Sequence, residues 1–202
     1  MASDTPELVV LAGPNGGGKS SFQDIFLFPG VFINADLNAR KIDPDQPERV
    51  SLPAGREVLR RITSLFHDRE TFSSESSLKI IMGAKERGYR ILLVFIALAT
   101  IDLHVLRVRQ RVQLGGHDIP EDVIRRRYSR CFHNLGRAIP LCDAVLPYDN
   151  SGEEPAKKLE LVDRDIVFTG LDPTHPLDHQ FHACVSSALD IDPGDAWINR
   201  SC

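Results

Sequence analysis

The stretch Leu8-Val9-Val10-Leu11-Ala12-Gly13-Pro14-Asn15-Gly16-Gly17-Gly18-Lys19-Ser20 decides the fold. Its first five residues are a continuous apolar run, the pattern of a strand buried on both faces of a parallel sheet. Gly13 to Ser20 match G-x-x-x-x-G-K-[ST], the spacing of a loop whose backbone N–H groups surround a phosphate chain. In that chemistry Lys19 meets the β- and γ-phosphates as a point charge, and the Ser20 hydroxyl coordinates Mg²⁺. The residues from Lys19 to Phe26 read as the helix that opens after the loop and adds its positive end to the cradle.

Working outward, Val31 to Ala35 (VFINA) reads as a second strand leading to Asp36, and Pro44, Pro47 and Pro53 mark a loop and the next helix start. Val58, Leu59, Ile62, Leu65 and Phe66 recur at helical spacing. Thr71 to Glu75 reads as a short strand, Leu78 to Arg87 as a helix stopped at Gly88, and Arg90 to Leu98 (RILLVFIAL) as the most apolar strand. Helices follow over Asp102 to Leu114 and Pro120 to Ile139, broken by Gly115-Gly116. Ala144 to Tyr148 is a candidate strand, Leu159 to Val162 with Ile166 to Phe168 a terminal pair, and Phe181 to Leu189 a terminal helix. Strands alternating with helices predict an α/β fold, a P-loop NTPase or kinase-type parallel sheet flanked by helices. Residues 1–202 read as a single domain, with 101–137 as a helical hairpin and 152–202 as an extension to which no role attaches.

The 202 residues include 24 Lys and Arg against 28 Asp and Glu. Residues 1–100 hold 12 basic and 12 acidic side chains, residues 101–137 hold 8 and 4, and residues 138–202 hold 4 and 12. A basic segment inside an acidic chain suits a small anionic ligand and argues against a broad nucleic-acid surface. Cys131, Cys142, Cys184 and Cys202 form no C-x-x-C pair and no zinc spacing, which fits a reducing cytoplasm. No apolar run approaches the ~20 residues that span a bilayer.

A phosphate loop leaves switch GTPases, motor ATPases and small kinases open. No N-K-x-D base-reading sequence is present, and the strand Ile91 to Leu98 ends in Ala99-Thr100 where a motor ATPase carries an acidic residue. A kinase is left ahead, and it needs a carboxylate at the acceptor hydroxyl. Asp36 is the candidate, since parallel strands deliver their C-terminal ends to one edge; the competing role is an N-cap. Arg40, one turn on, is placed to keep it ionised. Glu75 in Ser73-Ser74-Glu75-Ser76-Ser77 ends another strand among hydroxyls suited to a polyol, with helix capping as the competing role.

The segments AGPNGGGKSS, FINAD, SESSL, RVRQRVQLGGHDIPEDVIRRRY, the pair Asn134-Leu135 and YDNS (Tyr148 to Ser151) together resemble the zeta-toxin-like P-loop kinases, in their short stand-alone branch. The resemblance runs from about Leu8 to Ser151. It implies ATP or GTP held by Gly13, Pro14, Asn15, Gly16, Gly17, Gly18, Lys19, Ser20 and Ser21. Asp36 is then the general base, with Glu75 in the substrate pocket; Arg40, Ser76 and Ser77, as their neighbours, are expected to bind substrate beside them. For zeta toxins the acceptor is the sugar 3′-hydroxyl of UDP-N-acetylglucosamine, and an antitoxin blocks the nucleotide site. Here Ser76-Ser77 stand where the family often has two threonines, and Ser21 where threonine is common.

Arg107 and Arg111 share a helix face, and Arg125, Arg126, Arg127 and Arg130 follow on the second helix. Positive charge over a migrating phosphoryl group is what a kinase lid supplies. The resemblance singles out Arg111, Arg126 and Arg127. Solvated salt bridges are the ordinary fate of such arginines. His117 suits a turn cap, and Trp197 a packing anchor. His175, His179 and His182 near Asp178 and Cys184 admit a metal reading that Pro176 weakens. The sequence therefore predicts a small-molecule kinase. A kinase for a different metabolite or a nucleic-acid end, and a nucleotide-dependent binding module with slow hydrolysis, are the alternatives.

Overall fold

In a computed structural model, the described residues are 5–26, 28, 30–34, 38–39, 42–43, 47–75, 78–116 and 118–192. The chain divides into two compact units, Met1–Val10 with Phe28–Ile91, and Leu11–Leu27 with Leu92–Cys202.

The first unit holds β2 (Val31–Ile33), α2 (Ser51–Asp68), β3 (Phe72–Glu75), α3 (Leu78–Lys85) and most of β1 (Glu7–Ala12). Its strand order is β2-β3-β1, with β2 and β3 parallel and Ile33 opposite Ser74. The end of α2 is fixed by an aromatic cluster of Phe66, Phe72 and Tyr89 in edge-to-face contacts of 5.3 to 6.0 Å. Within it, the buried Tyr89 hydroxyl lies 2.8 Å from Leu65 O and 3.1 Å from Glu70 O, so its one proton is shared between two carbonyls at the helix end. Ile62 and Leu65 face inward as their spacing predicts, but Leu59 is 56% exposed. The inward stripe instead runs through Ala54, because α2 begins a turn earlier than the apolar residues alone suggest.

The second unit holds α1 (Lys19–Ile25), β4 (Arg90–Ala97), α4 (Ile101–Gln113), α5 (Glu121–Ala138), β5 (Ala144–Asp149), β6 (Ala156–Lys157), β7 (Leu159–Val162), β8 (Asp165–Thr169) and α6 (Pro176–Leu189). Its strand order is β4-β5-β7-β8, with β6 on β5. β4 and β5 are parallel, with Ala97 opposite Asp149 at their C-terminal ends. Leu93 to Leu98 are all buried, as a central strand covered on both faces requires. Phe95 of β4, Phe132 of α5 and Phe181 of α6 meet at 5.3 to 6.0 Å between ring centroids, and this cluster ties the last helix into the core.

The fold class is the predicted one: an α/β sheet flanked by helices. The sheet is mixed, however, because β5 pairs β7 and β7 pairs β8 in antiparallel fashion. The connections from β5 to β8 contain no helix, and a parallel crossover needs a dozen or more residues. The final helix starts at Pro176, five residues before the predicted Phe181, since proline suits a first helical turn.

Candidate functional site

The loop between β1 and α1 is shaped by close approach. A Cβ on Gly13 would fall 2.0 Å from Ile96 O, so only glycine lets the loop leave the sheet beside β4. Gly18 has φ +91°, and a Cβ there would lie 2.2 Å from Asn150 Nδ2. Lys19, which opens α1, donates from Nζ to Gly13 O at 3.1 Å and Pro14 O at 3.4 Å. Its ammonium thus sits inside the loop, held by the loop's own carbonyls. Ser20 and Ser21 follow, both exposed. Phe22 anchors the helix, stacking on Phe26 at 4.2 Å and meeting Tyr148 of β5 edge-on at 4.9 Å.

Three residues hold this loop: His104 and Asn150, to which the sequence assigns no role, and Arg107, expected among the lid arginines. His104 of α4 is fully buried; Leu98 N–H donates to its Nε2 at 3.1 Å, and its Nδ1 faces Asn15 O at 2.8 Å. A backbone donor on Nε2 requires a proton on Nδ1, so the ring is neutral and Nδ1–H donates to Asn15 O. Burial, against the hydrogen bond to Asn15 and with the charges of Lys19 and Arg107, pushes its pKa down to about 4. Asn150, just past β5, donates from Nδ2 to Gly17 O at 3.0 Å. Arg107, on α4, donates from Nη2 to Asn150 O at 2.7 Å. The turn is completed by Ser151, whose hydroxyl donates to Asp149 Oδ1 and accepts from Ala99 N, both at 2.6 Å.

The signals for these residues were thin. His104 is a lone histidine on an apolar helix face. Asn150 and Ser151 stand in YDNS, which carried part of the resemblance but no chemistry of its own. Arg107 shares a face with Arg111, and it is Arg107 that the fold brings to the loop.

The remaining arginines separate into groups. Arg109 and Arg125 are tied to Glu121 at 2.6 and 2.8 Å, and Arg125 also to Asp102 at 2.6 Å, which staples α4 to α5. Val105 and Val108 of α4 and Ile124 of α5 form one buried cluster. Arg111, Arg126 and Arg127 are exposed on the hairpin. Burial raises the Cys131 thiol pKa on α5, with the charges of Lys19 and Arg127 opposing it. The Gly115-Gly116 turn closes α4, Gly116 N donating to Arg111 O at 2.8 Å.

Glu75 ends β3, described here for its backbone only. Asp36, Arg40, Ser76, Ser77, His117 and Trp197 lie outside the described residues. Among the described residues, no group of three or more His, Cys, Asp and Glu is arranged to hold a metal ion. His175 lies instead between Asp149 and Asp178.

No protein-family model matches the chain. An uncharacterized protein of Haemophilus influenzae is 30% identical over 134 residues, 59% of this chain and 91% of that protein. The chain belongs to that protein's family. Among solved structures, one of the PezAT chromosomal toxin-antitoxin system of Streptococcus pneumoniae is similar, with a TM-score of 0.55 and 17% identity. The match covers 91% of this chain and 80% of that one. The AvrRxo1-ORF1:-ORF2 complex with ATP gives a TM-score of 0.59 and 14% identity, covering 92% of this chain and 65% of that chain. These likenesses show the fold, an α/β sheet flanked by helices, in agreement with the expected fold class. Among the described residues no helix is long and apolar enough to cross a membrane.

Proposed function

We propose that the protein is a kinase that transfers the γ-phosphoryl group of ATP or GTP to a hydroxyl of a small molecule, with a nucleotide-sugar as the first acceptor class to test. The observation that carries this reading is the loop itself: Lys19 Nζ lies within 3.1 Å of Gly13 O, inside a glycine loop pinned by Asn150 and His104. A preorganised cation in a backbone cradle is what a triphosphate requires. The exposed Ser20 hydroxyl at the start of α1 offers the hard oxygen that Mg²⁺ takes. Bound there with nucleotide, the ion would neutralise charge on the β- and γ-oxygens.

In this reading Asp36 orients the acceptor hydroxyl and accepts its proton, Arg40 keeps Asp36 ionised, and Glu75 with Ser76 and Ser77 binds the acceptor. Arg111, Arg126 and Arg127 supply charge to the migrating group. The PezAT likeness makes an inhibitory partner part of the proposal, and the AvrRxo1 complex with ATP supports ATP as the donor.

The test is incubation with γ-labelled ATP and a panel of nucleotide-sugars, nucleosides and oligonucleotides, read by mass spectrometry. A nucleotide-sugar gaining one phosphoryl group, with the gain lost in Asp36→Asn, is the expected result. Nucleotide retained stoichiometrically with no acceptor modified would favour the binding-module alternative.

A further inference from the structure

The C-terminal segment, to which the sequence attaches no role, contains a buried polar cluster that is linked to the phosphate loop. Asp178 on α6 is fully buried, yet carries a carboxylate. Its Oδ2 accepts from Lys158 Nζ and from Asp172 N, each at 2.8 Å. Its Oδ1 has no hydrogen-bond partner and faces His175 Nδ1 at 3.4 Å, an atom that likewise has none. The other face of the same ring, Nε2, lies 3.5 Å from Asp149 Oδ2. Asp149 Oδ1 in turn accepts from Ser151 N at 2.9 Å and Ser151 Oγ at 2.6 Å. Ser151 takes the Ala99 N–H, Asn150 N donates to Ala97 O at 2.9 Å, and Asn150 Nδ2 donates to Gly17 O.

We propose that His175, seated between Asp149 and Asp178, is a positioning residue that sets the Asp149-Asn150-Ser151 turn and, through Asn150, the phosphate loop at Gly17. This rests on the reading of that loop as the nucleotide site. A buried carboxylate needs compensating charge and donors, and Lys158 and the Asp172 N–H supply only one of the two oxygens of Asp178. A neutral imidazole has one N–H and serves one flanking carboxylate; an imidazolium has two and serves both. The groups facing the ring are Asp149 from β5 and Asp178 from α6. Lys158 lies behind Asp178, and Asp172 stands in the preceding loop with its own carboxylate engaged by Thr174 N and Oγ1 at 2.7 Å. Doubly protonated, His175 clamps the turn from both sides. Neutral, it releases one side.

The experiment is equilibrium binding of ATP with Mg²⁺ to the full chain at pH 6 and pH 8, for the native protein, His175→Gln and Lys19→Ala. Glutamine is uncharged and carries both its N–H donors on one nitrogen, so it cannot reach carboxylates on opposite edges of the ring. The expected result is ATP bound about fivefold more weakly by His175→Gln at pH 6, the size usual for a residue acting through neighbours. That ratio falls towards one at pH 8, while Lys19→Ala binds poorly at both. Nucleotide protonation affects all three proteins alike and drops out of the ratio. A ratio of one at pH 6, or the same ratio at both pH values, would overturn the positioning role while leaving the nucleotide site intact. ATP binding untouched by Lys19→Ala would overturn the nucleotide site and this role with it. If circular dichroism shows His175→Gln unfolded, Asp149→Asn carries the same expectation. It keeps an oxygen for Ser151 and loses the charge facing the ring.

Discussion

Asn150 Nδ2 donates to Gly17 O across 3.0 Å, so a residue 133 positions away in sequence fixes the middle of the phosphate loop. The same amide leaves no room for a side chain at Gly18, where a Cβ would sit 2.2 Å from it. Loop shape and the turn after β5 are therefore one unit of structure.

Gly18→Ala should weaken ATP binding through two separable effects. A left-handed conformation costs alanine about 1–2 kcal/mol, and the new methyl displaces Asn150. Asn150→Ala in the same chain should relieve the second effect only. A double-mutant cycle on ATP affinity measures the coupling, and additive losses would contradict the contact. Gly13→Ala meets the Ile96 backbone instead, and should lower the thermal midpoint itself with no such rescue.

His104 makes stability depend on pH. Its folded pKa of about 4 lies below the ordinary 6.5, so between these values the unfolded chain binds more protons. The stability that the neutral ring contributes is complete above pH 6.5 and is lost as pH falls towards 4. The shift corresponds to about 3 kcal/mol in all. Denaturant unfolding of the native protein and His104→Gln across that range should show the native chain losing more stability on acidification. Parallel curves would sink this account of the histidine.

Arg107 and Arg111 should separate kinetically. Arg107 contacts Asn150 O, so Arg107→Ala should weaken ATP binding about tenfold, the order expected for one charge-assisted hydrogen bond. Arg111→Ala should instead lower kcat by about a hundredfold with ATP affinity little changed, as for charge supplied to the transition state. Equal losses of affinity and rate at Arg111 would make it a ground-state anchor.

Arg125→Ala serves as the contrast. Its guanidinium is committed to Asp102 and Glu121 on the exposed side of the hairpin. Surface pairs of this kind contribute about 0–1 kcal/mol. Thermal melting should show a small loss at most, and phosphoryl transfer should be unchanged; a large drop in kcat would place Arg125 at the phosphate.

What the sequence made legible is what depends on local pattern. The apolar runs at Leu8 and Arg90, the glycine loop and the basic hairpin each declare themselves within a few residues, and each stands where it was expected. The roles of His104 and Asn150, and the contact that Arg107 makes, were illegible for the opposite reason. Each acts through a backbone atom of a distant residue, Asn15 O, Asn150 O and Gly17 O, and a carbonyl leaves no trace in residue identity. The histidines of the C-terminal segment misled in a related way. Asp149, 26 positions before His175 in sequence, lies 3.5 Å from that ring. The antiparallel end of the sheet escaped because short alternating strands such as Leu159–Val162 carry no signal of their direction.

The most direct test of the central claim is calorimetric titration of ATP with Mg²⁺ into the native chain and into Lys19→Ala. The account predicts saturable one-to-one binding by the native protein and at least a hundredfold weaker binding by the variant, with both giving the same circular dichroism spectrum. Equal affinities in two folded proteins would contradict it.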